Sequence, residues 1–129
     1  HVCRGNFRST WISEGGYEPG AEILFGTVNI DRFFLEYDNE RSGGFEPLRF
    51  IKPGRQQAVL GLITTKTGEL ELAKDVETRI KEATEYLDIQ QICLSPQCGF
   101  ASTEEGNSLT DKQQWDKLKL VVDIAAKIW

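Results

Sequence analysis

The sequence predicts an α/β fold, a parallel sheet covered by helices, whose four strand–helix units amount to half of a (βα)8 TIM barrel. Three observations predict it. Short, nearly continuous apolar runs alternate with longer stretches of helical period, the pattern of buried parallel strands and their crossover helices. The runs are bounded by turn-forming or acidic residues: Asn29 and Asp38-Asn39, the Pro53-Gly54 turn, and Pro96. Residues that carry chemistry fall at the C-terminal ends of those runs, where barrels of this kind carry their sites. Residues 1–129 therefore read as a single domain, a partial barrel.

The elements follow in order. His1 to Cys3 reads as the tail of a strand. A helix is expected near Pro19 to Gly26. Ile30 to Tyr37 is aromatic and aliphatic and closes on Asp38-Asn39, which predicts a buried strand. The next connection is short and Gly-rich, with room for a brief helix over Phe45 to Phe50. Ala58 to Thr64 follows the Pro53-Gly54 turn and reads as a strand. Asp75 to Leu87 places Val76, Ile80, Ala83 and Leu87 on one helical face. Ile89 to Ser95 reads as a strand stopped by Pro96. Thr110 with Gln113 forms a capping-box pattern and opens a helix running to the end, with Trp115, Leu118, Val122, Ala125 and Trp129 as its expected apolar stripe. There is no internal repeat and no low-complexity stretch.

Composition narrows the function. A net charge of −5 argues against nucleic acid, whose binders need a basic face. No apolar run approaches the roughly 18 residues of a membrane span, so no membrane partner is expected. Three cysteines do not suggest a disulfide framework, and a reducing cytoplasm is the expected setting. The sequence holds no Met and opens on a candidate ligand. This predicts that the N-terminal part of a longer protein is absent.

His, thiolate and carboxylate are the donors of zinc sites. His1 and Cys3 are two apart, so on a strand they face the same way. Glu36 ends the aromatic run, and Cys98 follows the last run within Pro96-Gln97-Cys98-Gly99. Two Cys, one His and one Glu make a four-coordinate set, and thiolates with imidazole favour zinc among the thiophilic ions. Each residue also has a plainer reading. His1 alone reads as a frayed terminus, and Cys3 as a small buried filler. Asp38 rivals Glu36 on the same face, and either could pair with Arg41. Cys93 has the opposite strand parity to Leu94, Pro96 and Cys98, so it is expected to face the helix layer. Arg4 and Arg8 read as solvated loop residues.

The order His-x-Cys, acidic strand end, Pro-x-Cys-Gly resembles the C-terminal catalytic barrel of cobalamin-independent methionine synthases. The strings His1-Val2-Cys3-Arg4-Gly5-Asn6-Phe7, Phe34-Leu35-Glu36-Tyr37-Asp38 and Leu94-Ser95-Pro96-Gln97-Cys98-Gly99-Phe100 resemble most its shorter single-barrel bacterial relatives. The resemblance covers essentially the whole chain as strands five to eight. It implies that His1, Cys3, Glu36 and Cys98 are the zinc ligands. It further implies a methyltransferase of methionine biosynthesis, moving a methyl group from 5-methyltetrahydrofolate, as its polyglutamate, to the thiol of homocysteine. Two positions depart from the pattern. Leu62-Ile63-Thr64-Thr65-Lys66 stands where the larger enzymes carry Asp-Ile-His, and Gln97 stands where they carry Asp. The proton donor is therefore unassigned.

Two other readings stand beside this one. The same zinc–thiolate chemistry could alkylate a different small thiol, such as coenzyme M or a volatile sulfur compound. Alternatively the chain is an inactive zinc-binding half-barrel. Four parallel strands leave two open edges, so the isolated chain is expected to self-associate or to be poorly stable, and to lack methyl transfer alone.

Overall fold

The computed structural model describes residues 1–101 and 103–129. Its centre is a three-stranded parallel sheet, β1 (Arg32–Glu36), β2 (Gln57–Ile63) and β3 (Ile92–Pro96), in the order β1-β2-β3. β2 is the middle strand, and all its residues after Gln57 are buried. That is why its sequence is apolar throughout instead of alternating. The three expected strands are present; β1 and β3 are shorter than the apolar runs that carry them, and β2 has the expected length, shifted by one residue. Residues Ile89–Gln91 instead form a 3-10 turn, capped by the Asp88 side chain accepting from the Gln90 amide at 2.8 Å.

The fourth expected strand is not formed at His1 to Cys3. Only Val2 joins the sheet, as a single parallel bridge to Leu35, with its amide donating to the Phe34 carbonyl at 3.0 Å. The chain turns away because the Arg4 amide donates to the Glu36 side chain, not to a strand neighbour. The described sheet is therefore a three-stranded parallel unit, smaller than the four-stranded half-barrel expected.

The helices lie where the connections predicted them. Pro19 sits in a 3-10 turn that leads into α1 (Ala21–Thr27). Ala21 and Phe25, four residues apart, are buried, and Phe25 meets Phe33 edge-on at 4.9 Å. The expected short helix at Phe45 to Phe50 is a 3-10 turn over Glu46–Phe50. α2 (Ala73–Ala83) buries Val76, Ile80 and Ala83, and Leu87 remains buried beyond its end. α3 (Asp111–Ile128) begins with the predicted Thr110–Gln113 capping box.

The stripe expected on α3 is wrong. Trp115, Val122 and Trp129 are 68%, 64% and 46% exposed. The inward face instead carries Lys117, Leu120, Val121, Ile124 and Ile128, also at helical spacing. The physical reason is Lys117, which is fully buried. Its ammonium donates to the Glu69 carbonyl at 2.6 Å and to both Glu71 oxygens at 3.1 Å. A lysine read as polar hides the face that it belongs to.

One face of the sheet, bearing Phe33, Leu35, Ala58, Leu60 and Ile92, joins the helices in a single core with Val76, Ile80 and Ile124. Val59 lies outside that core and pairs with Cys93. Paired residues share a face, so Cys93 faces away from the helix layer, contrary to the parity argument. The register slips between β2 and β3: Gly61 faces Ser95, but Ile63 faces Pro96. Such an irregularity re-aims the chain beyond it, and residues 97–98 no longer follow the alternation of β3.

Candidate metal centre

Glu36 is the last residue of β1, and Cys98 lies two residues beyond β3. Cys3 follows the Val2 bridge. The three meet, with one ligand atom from each lying within 4.8 Å of the others. The two sulfurs are 2.8 Å apart. His1 lies outside this cluster but beside it, its Nε2 donating to the Gln97 carbonyl at 3.4 Å. Of the four expected ligands the structure thus gathers three and leaves the exposed His1 bonded to Gln97, the neighbour of Cys98.

Gly61 makes the meeting possible. A Cβ there would sit 2.9 Å from both the Gln97 Cα and the Leu35 carbonyl, closer than real contacts allow. The missing side chain lets the turn carrying Gln97 and Cys98 fold over β2, next to Glu36, whose Cα pairs with Gly61. The Gln97 amide fixes that turn on the Ile63 carbonyl at 2.8 Å.

Glu36 is fully buried. Its Oε2 accepts the Arg4 amide at 2.6 Å, and its Oε1 accepts from Arg41 and, at 3.4 Å, from Lys66. Asp38 accepts from the same two cations, Lys66 at 3.0 Å and Arg41 at 3.4 Å. Two buried carboxylates thus share two nearly buried cations, so burial leaves no net charge in the group. This resolves the rivalry between Glu36 and Asp38: both pair with Arg41, and only Glu36 also reaches the sulfurs. Arg4, expected in solvent, is buried. Its guanidinium donates to the Gly15 carbonyl and to the Tyr17 hydroxyl and lies 4.2 Å from that ring. Arg8 is exposed as expected.

The sulfurs have their own donors, Gly5 N to Cys3 at 3.2 Å and Gln97 Nε2 to Cys98 at 2.9 Å. Burial pushes the Cys98 thiol up, and the hydrogen bond with Cys3 adds to the shift. A coordinating cation reverses that preference, because a metal-bound thiol is deprotonated outright. Two thiols and a carboxylate, with an imidazole adjacent, fit zinc by donor type.

Sequence reasoning missed Lys66, Gln97, Asn6 and Thr65 as members of this site; it named Arg41 as a partner of Glu36 or Asp38, and the structure pairs it with both. Asn6 donates to Thr65 at 2.8 Å and to the Gly99 carbonyl at 3.1 Å, tying the first segment to the ends of β2 and β3. Lys66 carried a usable signal, its place three residues past the end of an apolar strand.

The fold and site define a class: a parallel α/β chain with a thiol–carboxylate cluster at its C-terminal strand ends. Two solved structures resemble the chain. The chain superposes over its full length on the "Putative Vitamin-B12 Independent Methionine Synthase" from Listeria monocytogenes, with a TM-score of 0.73 and 46% identity, covering 34% of that chain. A B12-independent methionine synthase from Shewanella sp. W3-18-1, in complex with selenomethionine, matches 87% of the chain and 30% of its own at TM-score 0.71 and 24% identity; it shows the fold alone. In sequence, the uncharacterized proteins YxjG and YxjH of Bacillus subtilis (strain 168) are 61% and 60% identical over all 129 residues. The chain spans about a third, 34%, of the length of each. No family model matches it.

Proposed function

We propose that this chain supplies the zinc ligands of a thiol-methylating enzyme, as strands five to eight of a (βα)8 barrel. The reaction is transfer of a methyl group from 5-methyltetrahydrofolate to the thiol of homocysteine, giving methionine. The observation that carries the reading is the convergence of Cys3, Glu36 and Cys98 from three distant segments. The likeness to the Listeria monocytogenes structure supports it. His1 is the fourth ligand in this proposal; its ring is hydrogen-bonded to the carbonyl of Gln97, the residue before Cys98.

Zinc bound here would hold the substrate sulfur as thiolate, the nucleophilic form. The chain's own residues prepare the position. Gly5 N and Gln97 Nε2 orient the two cysteines. Arg41 and Lys66 hold the Glu36 carboxylate at the sulfurs while its other oxygen is fixed by the Arg4 amide. Such outer partners set ligand orientation in metal sites. The remaining substrate contacts are assigned to strands one to four, outside this chain. No helix among the described residues is long and apolar enough to cross a membrane; a cytoplasmic setting is part of the proposal.

One observation favours a second reading, alkyl transfer to another small thiol. The residue beside the site at the end of β2 is Lys66, which changes the group available to the methyl donor. Elemental analysis after dialysis tests the metal centre: about one zinc per chain, lost in Cys98→Ser, is expected. Assays of the full-length protein with homocysteine and with coenzyme M then separate the two acceptors. Zinc content unchanged by Cys98→Ser would overturn the ligand assignment.

A further inference from the structure

We propose that Cys3 and Cys98 are also an oxidative modification site: with the metal position empty, a peroxide closes them into an intramolecular disulfide that abolishes metal binding. Neither the strand pattern nor the methylation reading requires this, and it follows from how the two sulfurs are held.

The sulfurs are 2.8 Å apart, and a disulfide bond is about 2.05 Å long. Closing the bond requires an approach of under an ångström. The two segments are already tied together independently of the cysteines, by Asn6 to the Gly99 carbonyl and by His1 to the Gln97 carbonyl. Both sulfurs have N–H donors that hold them in place. The third thiol, Cys93, lies within β3 and shares the face of Val59. It stands five residues before Cys98 and takes no part in the sulfur pair.

Exposure sets the order of events. Cys3 is exposed and Cys98 half-buried, so an incoming peroxide reaches Cys3 first. The Cys3 sulfur attacks one peroxide oxygen, the O–O bond breaks, and hydroxide leaves as water with the Cys3 proton. Cys3 is then a sulfenic acid, oxidised by two electrons. The Cys98 sulfur attacks the Cys3 sulfur, the S–O bond breaks, and the second water leaves with the Cys98 proton. Two thiols and one hydrogen peroxide give one disulfide and two waters. Because the same two sulfurs are the metal donors, the oxidised chain keeps only Glu36 and His1, too few for zinc.

The test treats the metal-stripped full chain with one equivalent of hydrogen peroxide and counts free thiols under denaturing conditions. The expected result is the loss of two of the three thiols, a mass decrease of two hydrogens, and a crosslinked peptide pair containing Cys3 and Cys98. Cys93→Ser still loses two thiols, and Cys3→Ser forms no intramolecular crosslink. Zinc uptake by the oxidised chain falls to background and returns after dithiothreitol. Retention of all three thiols, a crosslink through Cys93, or full zinc uptake by the oxidised chain would each overturn the proposal. The thiol count does not depend on methyl transfer: absence of methyl transfer by the full-length protein overturns the enzymatic reading alone, and absence of the crosslink overturns this one alone.

Discussion

The two faces of β1 differ more than their shared five residues suggest. Phe33 and Leu35 point into the helix layer and are almost fully buried among aromatic and aliphatic side chains. Phe34, between them, is 43% exposed, and Glu36 on its parity is fully buried among charges. The helix-side face is held by area removed from water, which any side chain of suitable size supplies. The strand ends are held by specific pairing, where every partner is needed. Burial alone therefore does not distinguish core from site; the nature of the neighbours does.

Substitutions sharpen that difference. The largest effect is expected at Lys66→Met, which leaves the buried Glu36 and Asp38 with Arg41 as their remaining ion-pair partner. Removing one member of a buried pair costs about 3–5 kcal/mol, read as a lower denaturant midpoint, even though Met restores the volume. Leu60→Ala on the opposite face should cost ~3 kcal/mol by cavity formation and leave zinc content unchanged. If Lys66→Met were harmless and Leu60→Ala abolished zinc, the separation of the two faces would be wrong.

Gly61→Ala acts at the boundary between them. Its Cβ meets backbone of Gln97 and Leu35, so the turn carrying Cys98 must shift. A loss of about 1–3 kcal/mol is expected, with a fall in zinc content that Leu60→Ala does not show. Thr110→Ala removes the capping box of α3 and should cost ~1 kcal/mol, with the metal untouched. Smallest of all is Trp115→Gln. Its side chain lies on the exposed face of α3, and a change within about 0.5 kcal/mol is expected. A large loss there would restore the stripe first expected from the sequence.

The sequence by itself determined the alternation of strands and helices, because apolar period follows burial directly. It also named Cys3, Glu36 and Cys98, since donor type is written in the residue and strand ends can be read from where apolar runs stop. It misplaced the inner face of α3, because a lysine such as Lys117 buries only when Glu71, 46 positions away, is there to receive it. It reversed Cys93, whose face is set by its pairing with Val59 where β2 meets β3. Only the tertiary structure decided that Lys66 joins Arg41 between the two carboxylates and that two sulfurs 95 positions apart touch. Charges and thiols act through pairwise distance, and distance between remote segments is set by packing that no local pattern encodes.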